Sequence, residues 1–209
     1  MSSRTKPFFF ALICLIIVPS WADAPSRISA QSSQTQGAIL FMNYCSGCHS
    51  LSYVSWPRLI RDLQLTAQGS LPLTSSMTIS LPDLSHTWPQ IAMAPQDASQ
   101  WFGKTPPDLS LVHRQRGGEW IKQYLLGFYP DAKQPFGVNN LQFPQTRMPH
   151  ILDTLETDIS ADDFSVIVSD IVDFLDYAAD PSATERRKIG GFVVGFFLIL
   201  LGLFRLRTN

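Results

Sequence analysis

The sequence predicts a mostly α-helical domain tied to a membrane by a single C-terminal helix, and three observations predict it. An uncharged run from Ile189 to Phe204 is fenced by Arg186, Arg187 and Lys188 on one side and by Arg205 and Arg207 on the other. Ahead of it, Phe164, Ile167, Val168, Ile171, Val172 and Leu175 recur at helical spacing. Ser160 precedes them as an N-cap, with Asp162 and Asp163 in the first turn. A shorter helical approach, Gly37 to Tyr44, leads into Cys45-Ser46-Gly47-Cys48-His49.

Taken in order, residues 1–22 read as a secretory signal peptide: Arg4 and Lys6, an apolar run from Phe8 to Val18, then small residues at Ser20 and Ala22. The run is too short to span hydrocarbon, and a cut after Ala22 is favoured over one after Ala24, which would leave Pro25 first. An uncleaved anchor is the competing reading. Residues 23–180 form the exported domain, in which Gly69 to Pro95, rich in Pro, Ser and Thr, should be mostly loop. The amphipathic helix should end before Pro181. A basic linker, 181–188, then meets the span, 189–204, and a tail, 205–209. The span's 16 residues rise about 24 Å against a hydrocarbon core of about 30 Å, so flanking basic side chains must snorkel. Basic residues on the two sides nearly balance, so the signal peptide sets the orientation, with the polar domain outside and the tail in the cytoplasm.

Whole-chain charge is −1, without the basic field that a nucleic-acid binder needs. That figure hides an asymmetry. From Asp23 to Glu185 there are 17 acidic residues against nine basic ones, a balance of −8, and ten of the acids lie between Asp153 and Glu185 with no base. A solvated helix face explains this, and so does a docking surface for a basic partner. Gly and Pro follow no triplet period, which excludes collagen. Three cysteines are too few for a disulfide scaffold, and once Cys14 leaves with the signal peptide only Cys45 and Cys48 remain.

Those two carry the central motif. Thiols three positions apart can add across the two vinyl groups of one haem, with His49 placed beside them as an axial ligand to iron. A thioredoxin-like dithiol, a zinc site and a simple disulfide share the spacing. The dithiol expects an α/β pattern that is missing here, and zinc would need further ligands from the scattered His86, His113 and His150. For the second iron face the candidates are Met77, Met93, Met148 and the same three histidines, or a gas or water. Phe143-Pro144 before Met148 and Pro149 after it favour a stiff, extended loop. A thioether there would favour reduced iron and raise the potential.

From Gly37 onward the chain resembles the cytochrome c1 family, the haem-bearing subunits of quinol–cytochrome c reductases, in its proteobacterial form. The resemblance rests on CSGCHS at the haem motif, WFGKTPPDLSLVHRQRGGEW (Trp101–Trp120), PFGVNNLQFPQTRMPH (Pro135–His150), FLDYAADP (Phe174–Pro181) and the C-terminal span. It implies a cytochrome c-like domain with one covalent haem c, attached at Cys45 and Cys48 and ligated by His49 and Met148. It also implies Arg116 near a haem propionate, Pro106 and Pro107 along the pocket, and Gly37 and Phe41 where the first helix crosses the last. No residue would be catalytic, since the protein makes and breaks no substrate bond. An electron would arrive from a Rieske iron–sulfur subunit and leave for a cytochrome c acceptor, while the span docks with a cytochrome b subunit in the bacterial inner membrane and the haem domain faces the periplasm. Another tethered monohaem cytochrome c and a haem-based gas sensor are the alternatives. Arg147 stands where close relatives usually carry glycine.

Overall fold

The computed structural model describes residues 33–65, 70–71, 74–78, 89 and 93–208. The expected signal peptide, His86 and the side chain of Met77 lie outside the described residues.

Helix α1, residues 33–40, runs straight into a π-helical turn, Phe41–Cys45. The wider turn shows in the Ser46 N–H, which reaches back to the Phe41 carbonyl at 3.0 Å. Single π turns gather at functional sites, and this one delivers the first cysteine. Helix α2 (Trp56–Leu63) starts behind Ser55, with Pro57 in its first turn where a missing N–H leaves nothing unpaired, and stops at Gln64 in the left-handed region, φ 51°.

Strands β1 (Ser70–Leu71) and β2 (Thr74–Thr78) pair antiparallel inside the stretch expected to be mostly loop. A Ser- and Thr-rich composition is compatible with a short ladder, because that pairing is made by the backbone. Helix α3 (Pro95–Phe102) ends at Gly103, while α4 (Val112–Arg116) and α5 (Gly118–Leu126) are hinged at Gly117, whose φ of 83° suits glycine. A second hairpin, β3 (Phe128–Pro130) with β4 (Val138–Asn140), registers Phe128 against Asn140.

Helices α6 (Asp153–Asp158), α7 (Ala161–Ala179) and α8 (Ala183–Thr208) complete the chain. Helix α7 is the spine. Ser160 caps it as expected, its hydroxyl accepting from the Asp163 N–H at 3.1 Å, and every apolar position of the predicted stripe is buried. Helices α4 and α5 pack on it. Helix α1 crosses it at Gly37, and beside that crossing the Phe41 and Phe174 rings sit 5.4 Å apart. Leu51, Val54, Leu59, Leu63, Leu152, Val168 and Ile171 fill the core around them. Each such side chain contributes about 1.5–3 kcal/mol by leaving water.

Helix α8 takes in most of the stretch expected as a linker, because Glu185 to Lys188 are good helix formers. Its 26 residues rise about 39 Å, more than the hydrocarbon needs, and none of them is buried against the domain. The joint between domain and helix is pinned on both sides. Arg58 donates to the Pro181 carbonyl at 2.9 Å and to Glu185 at 3.3 Å, while Asp180 accepts from Arg114 at 2.5 Å and from Arg186.

Candidate functional site

Segments far apart in sequence converge on a cavity of about 310 Å³, within the range that holds a cofactor. The end of α1 brings Cys45, Cys48 and His49; the strap before α4 brings Pro106, Pro107 and Asp108; α4 and α5 bring Arg116, Trp120 and Tyr124; the loop after β4 brings Thr146, Arg147 and Met148. Thus Cys45, Cys48, His49, Pro107, Arg116 and Met148, singled out from sequence, share one cavity wall.

His49 is aimed by its Nδ1, which donates to the Pro107 carbonyl at 2.8 Å and so leaves Nε2 as the free lone pair. Burial lowers its pKa, against smaller opposing effects from the Pro107 hydrogen bond and the Asp108 charge, so the ring is neutral at physiological pH and fit to bind a metal. The cysteines are unbridged. Burial pushes the Cys45 thiol up to about 12, with Cys48 adding to the rise, and burial raises Cys48 as well. A redox dithiol needs the opposite, a stabilised thiolate.

The strap is tied down by Asp108, whose carboxylate accepts from the Ser50 and Ser52 hydroxyls at 2.6 and 2.7 Å and from the Ser52 and Ser110 N–H groups at 2.9 and 2.8 Å. Partial desolvation works to raise this carboxyl, but hydrogen bonds from Ser110, Ser50 and Ser52 outweigh it and hold the pKa at about 2.

Met148 is held differently. Asn140, fully buried, donates to the Tyr124 carbonyl at 2.7 Å and accepts from the Gln142 and Phe143 N–H groups at 2.9 and 3.1 Å; Asn139 accepts from Gln145 N–H at 2.8 Å. The pair gives the loop a polar core. Beyond it, the Tyr124 and Thr146 hydroxyls meet at 2.7 Å, and the Thr146 oxygen also accepts from the Met148 N–H at 3.3 Å. Arg116 lies over the Trp120 ring, 5.0 Å from its centroid, which steadies the guanidinium at the cavity edge.

The other candidate ligands that are described sit elsewhere. His150 stacks on Phe128 at 4.7 Å, with Nε2 lying 3.2 Å from a Glu156 oxygen without the alignment of a hydrogen bond. His113 faces Asp176 at 3.0 Å, and Met93 is not part of the cavity lining. A zinc site on the cysteines therefore lacks further histidine ligands among the described residues. Asp108, Tyr124, Thr146 and the asparagine pair were not singled out from sequence, since their partners lie 16 to 58 residues away or are backbone atoms of a loop.

The donor set fits a covalently held haem: two thiols, a neutral imidazole with its Nε2 free, a thioether from a separate chain segment and a guanidinium, all lining the same cavity. Comparison with known proteins agrees. The family model described as "Cytochrome C1 family" matches residues 29–209. Cytochrome c1 of Allochromatium vinosum is 36% identical across 84% of this chain and 82% of its own length. A protein of Nitrosomonas europaea named ammonia monooxygenase gamma subunit is 29% identical across 93% of this chain and 92% of its own. Cytochrome c1 of Blastochloris viridis is 27% identical across 88% and 82%.

Proposed function

The chain belongs to the cytochrome c1 family, and from that premise we propose that Cys45 and Cys48 would carry its haem c through thioether bonds, with His49 and Met148 as the side chains that would hold the iron. The protein is the haem-bearing electron-transfer subunit of the bc1 complex, with one covalently attached haem c and a C-terminal apolar helix as membrane anchor. The observation that carries the residue assignment is the meeting of Cys45, Cys48, His49 and Met148 on one cavity, with His49 held through Nδ1.

When bound, the haem iron supplies a one-electron couple. The chain's own residues do the rest. The Pro107 carbonyl fixes the His49 ring and makes it a more basic ligand. The Met148 sulfur, soft and neutral, favours the reduced state. Arg116 offers a charge-assisted bond to a propionate. Phe102, Trp120, Tyr124 and Phe143 line the cavity and would keep water from the metal.

Electrons would come from a Rieske iron–sulfur subunit and pass to a cytochrome c acceptor, and α8 would dock with a cytochrome b subunit. The signal peptide read from residues 1–22 would put the haem domain in the periplasm, with the anchor in the inner membrane. The reading is tested by a haem stain on a denaturing gel, which reports covalent attachment, and by the Met148→Ala variant. That variant loses the thioether-to-iron charge-transfer band of the ferric protein and falls in midpoint potential; an unchanged band moves the ligand role to another residue.

A further inference from the structure

We propose that Asp108 is the positioning residue for His49: its carboxylate clamps the Pro107 carbonyl against the imidazole, and the stiffness of that clamp helps set the reduction potential. The inference rests on the assignment of His49 as a haem ligand.

The strap that supplies the carbonyl has a structural weakness. Pro106 and Pro107 have no N–H groups, so two successive residues cannot hold the strap in place by backbone donation. Asp108 is the next residue, and it binds the other side of the joint. One oxygen receives both Ser50 and Ser52 hydroxyls and the Ser52 N–H, and the second receives the Ser110 N–H. Two further bonds close the seam: Leu109 N–H to the Ser50 carbonyl at 3.0 Å and Tyr53 N–H to the Ser110 hydroxyl at 3.1 Å. Residues 50–53, directly after the ligand, are thus locked to residues 108–110, directly after its carbonyl partner. Neither end of the His49–Pro107 bond can drift without breaking this seam, because the Pro107 carbonyl shares one planar peptide unit with the Asp108 nitrogen, so a hold on Asp108 passes directly to that carbonyl.

An imidazole whose Nδ1–H is firmly accepted is the more basic ligand and favours the oxidised metal. A looser strap therefore raises the midpoint potential. Removing the Asp108 charge would also raise it, so the test separates charge from geometry with two variants of the full-length, haem-loaded chain. Asp108→Asn removes the charge and part of the hydrogen bonding. The double variant Ser50→Ala with Ser52→Ala keeps the charge and removes two of its donors.

Two quantities are measured, the midpoint potential and the rate at which the hyperfine-shifted His49 Nδ1 proton exchanges with deuterium. Positioning predicts that both variants raise the potential and speed exchange, by about fivefold for each hydrogen bond lost. The proposal is overturned if the double serine variant matches the parent in both quantities, because the carboxylate then acts by charge alone. It is equally overturned if Asp108→Asn exchanges at the parental rate. Should Asp108→Asn fail to take up haem, the double serine variant decides. A haem stain separates the two levels: a parent without covalent haem refutes the ligand assignment, whereas stained variants with parental exchange refute only the role of Asp108.

Discussion

Replacing Gly37 by alanine tests the helix crossing that aims the site. A Cβ built on Gly37 falls 1.9 Å from the Asp170 carbonyl oxygen and 2.7 Å from the Phe174 Cβ. The closer neighbour is backbone of α7, so it cannot swing aside, and reaching ordinary contact requires the helices to part by about 1.5 Å. Two effects oppose each other. Alanine gains about 1 kcal/mol over glycine in helix propensity. Overpacking costs about 1–3 kcal/mol where side chains can adjust, and a backbone clash belongs at the top of that range. The clash wins by about 2 kcal/mol, which for a chain of this size lowers Tm by about 4–8 °C. Far-UV circular dichroism of the full chain in detergent measures it. Because α1 continues into the cysteines, the charge-transfer band should weaken in the same variant. A Gly37→Ala protein that melts with or above the parent would refute the close crossing.

Two other outcomes are expected. Tyr124→Phe removes the hydroxyl paired with Thr146 and costs about 0.5–1.5 kcal/mol; because Thr146 holds the Met148 N–H, the charge-transfer band should also bleach at lower pH in an alkaline titration, and parental behaviour in both would refute the link. Asp108, held at about 2 from an ordinary 3.8, contributes stability that is complete above the ordinary value and lost as pH falls towards 2. Urea midpoints for the parent and Asp108→Asn should therefore converge across that acid window, and a gap independent of pH would count against the hydrogen-bonded carboxylate.

How much of this was legible in the sequence follows from the range of each interaction. The α7 stripe and its Ser160 cap are local, repeating every three or four residues, and both appear as expected. The cysteines and His49 are contiguous, so their common wall was legible. Gly37 and Phe41 were marked only by resemblance, and contact with α7 gives the physical reason for a residue without a side chain followed by an aromatic one. Asp108 could not be read, because one carboxylate in a proline-flanked stretch looks like any turn residue until Ser50 and Ser52, 58 and 56 positions earlier, arrive beside it. The two hairpins were missed for a related reason: each strand is at most five residues long, too short to show a period of two. The basic stretch 181–188 joins the span's helix from Ala183 onward, since its charges mark a membrane boundary while its residues are also helix formers.

The joint at residues 180–186 has a mechanical consequence. Only Asp180, Pro181 and Ser182 separate α7 from α8, and Arg58 and Asp180 brace that corner from opposite sides. The head is thus carried on its mast like a lantern on a fixed bracket. Swinging the domain about that corner would mean breaking both braces.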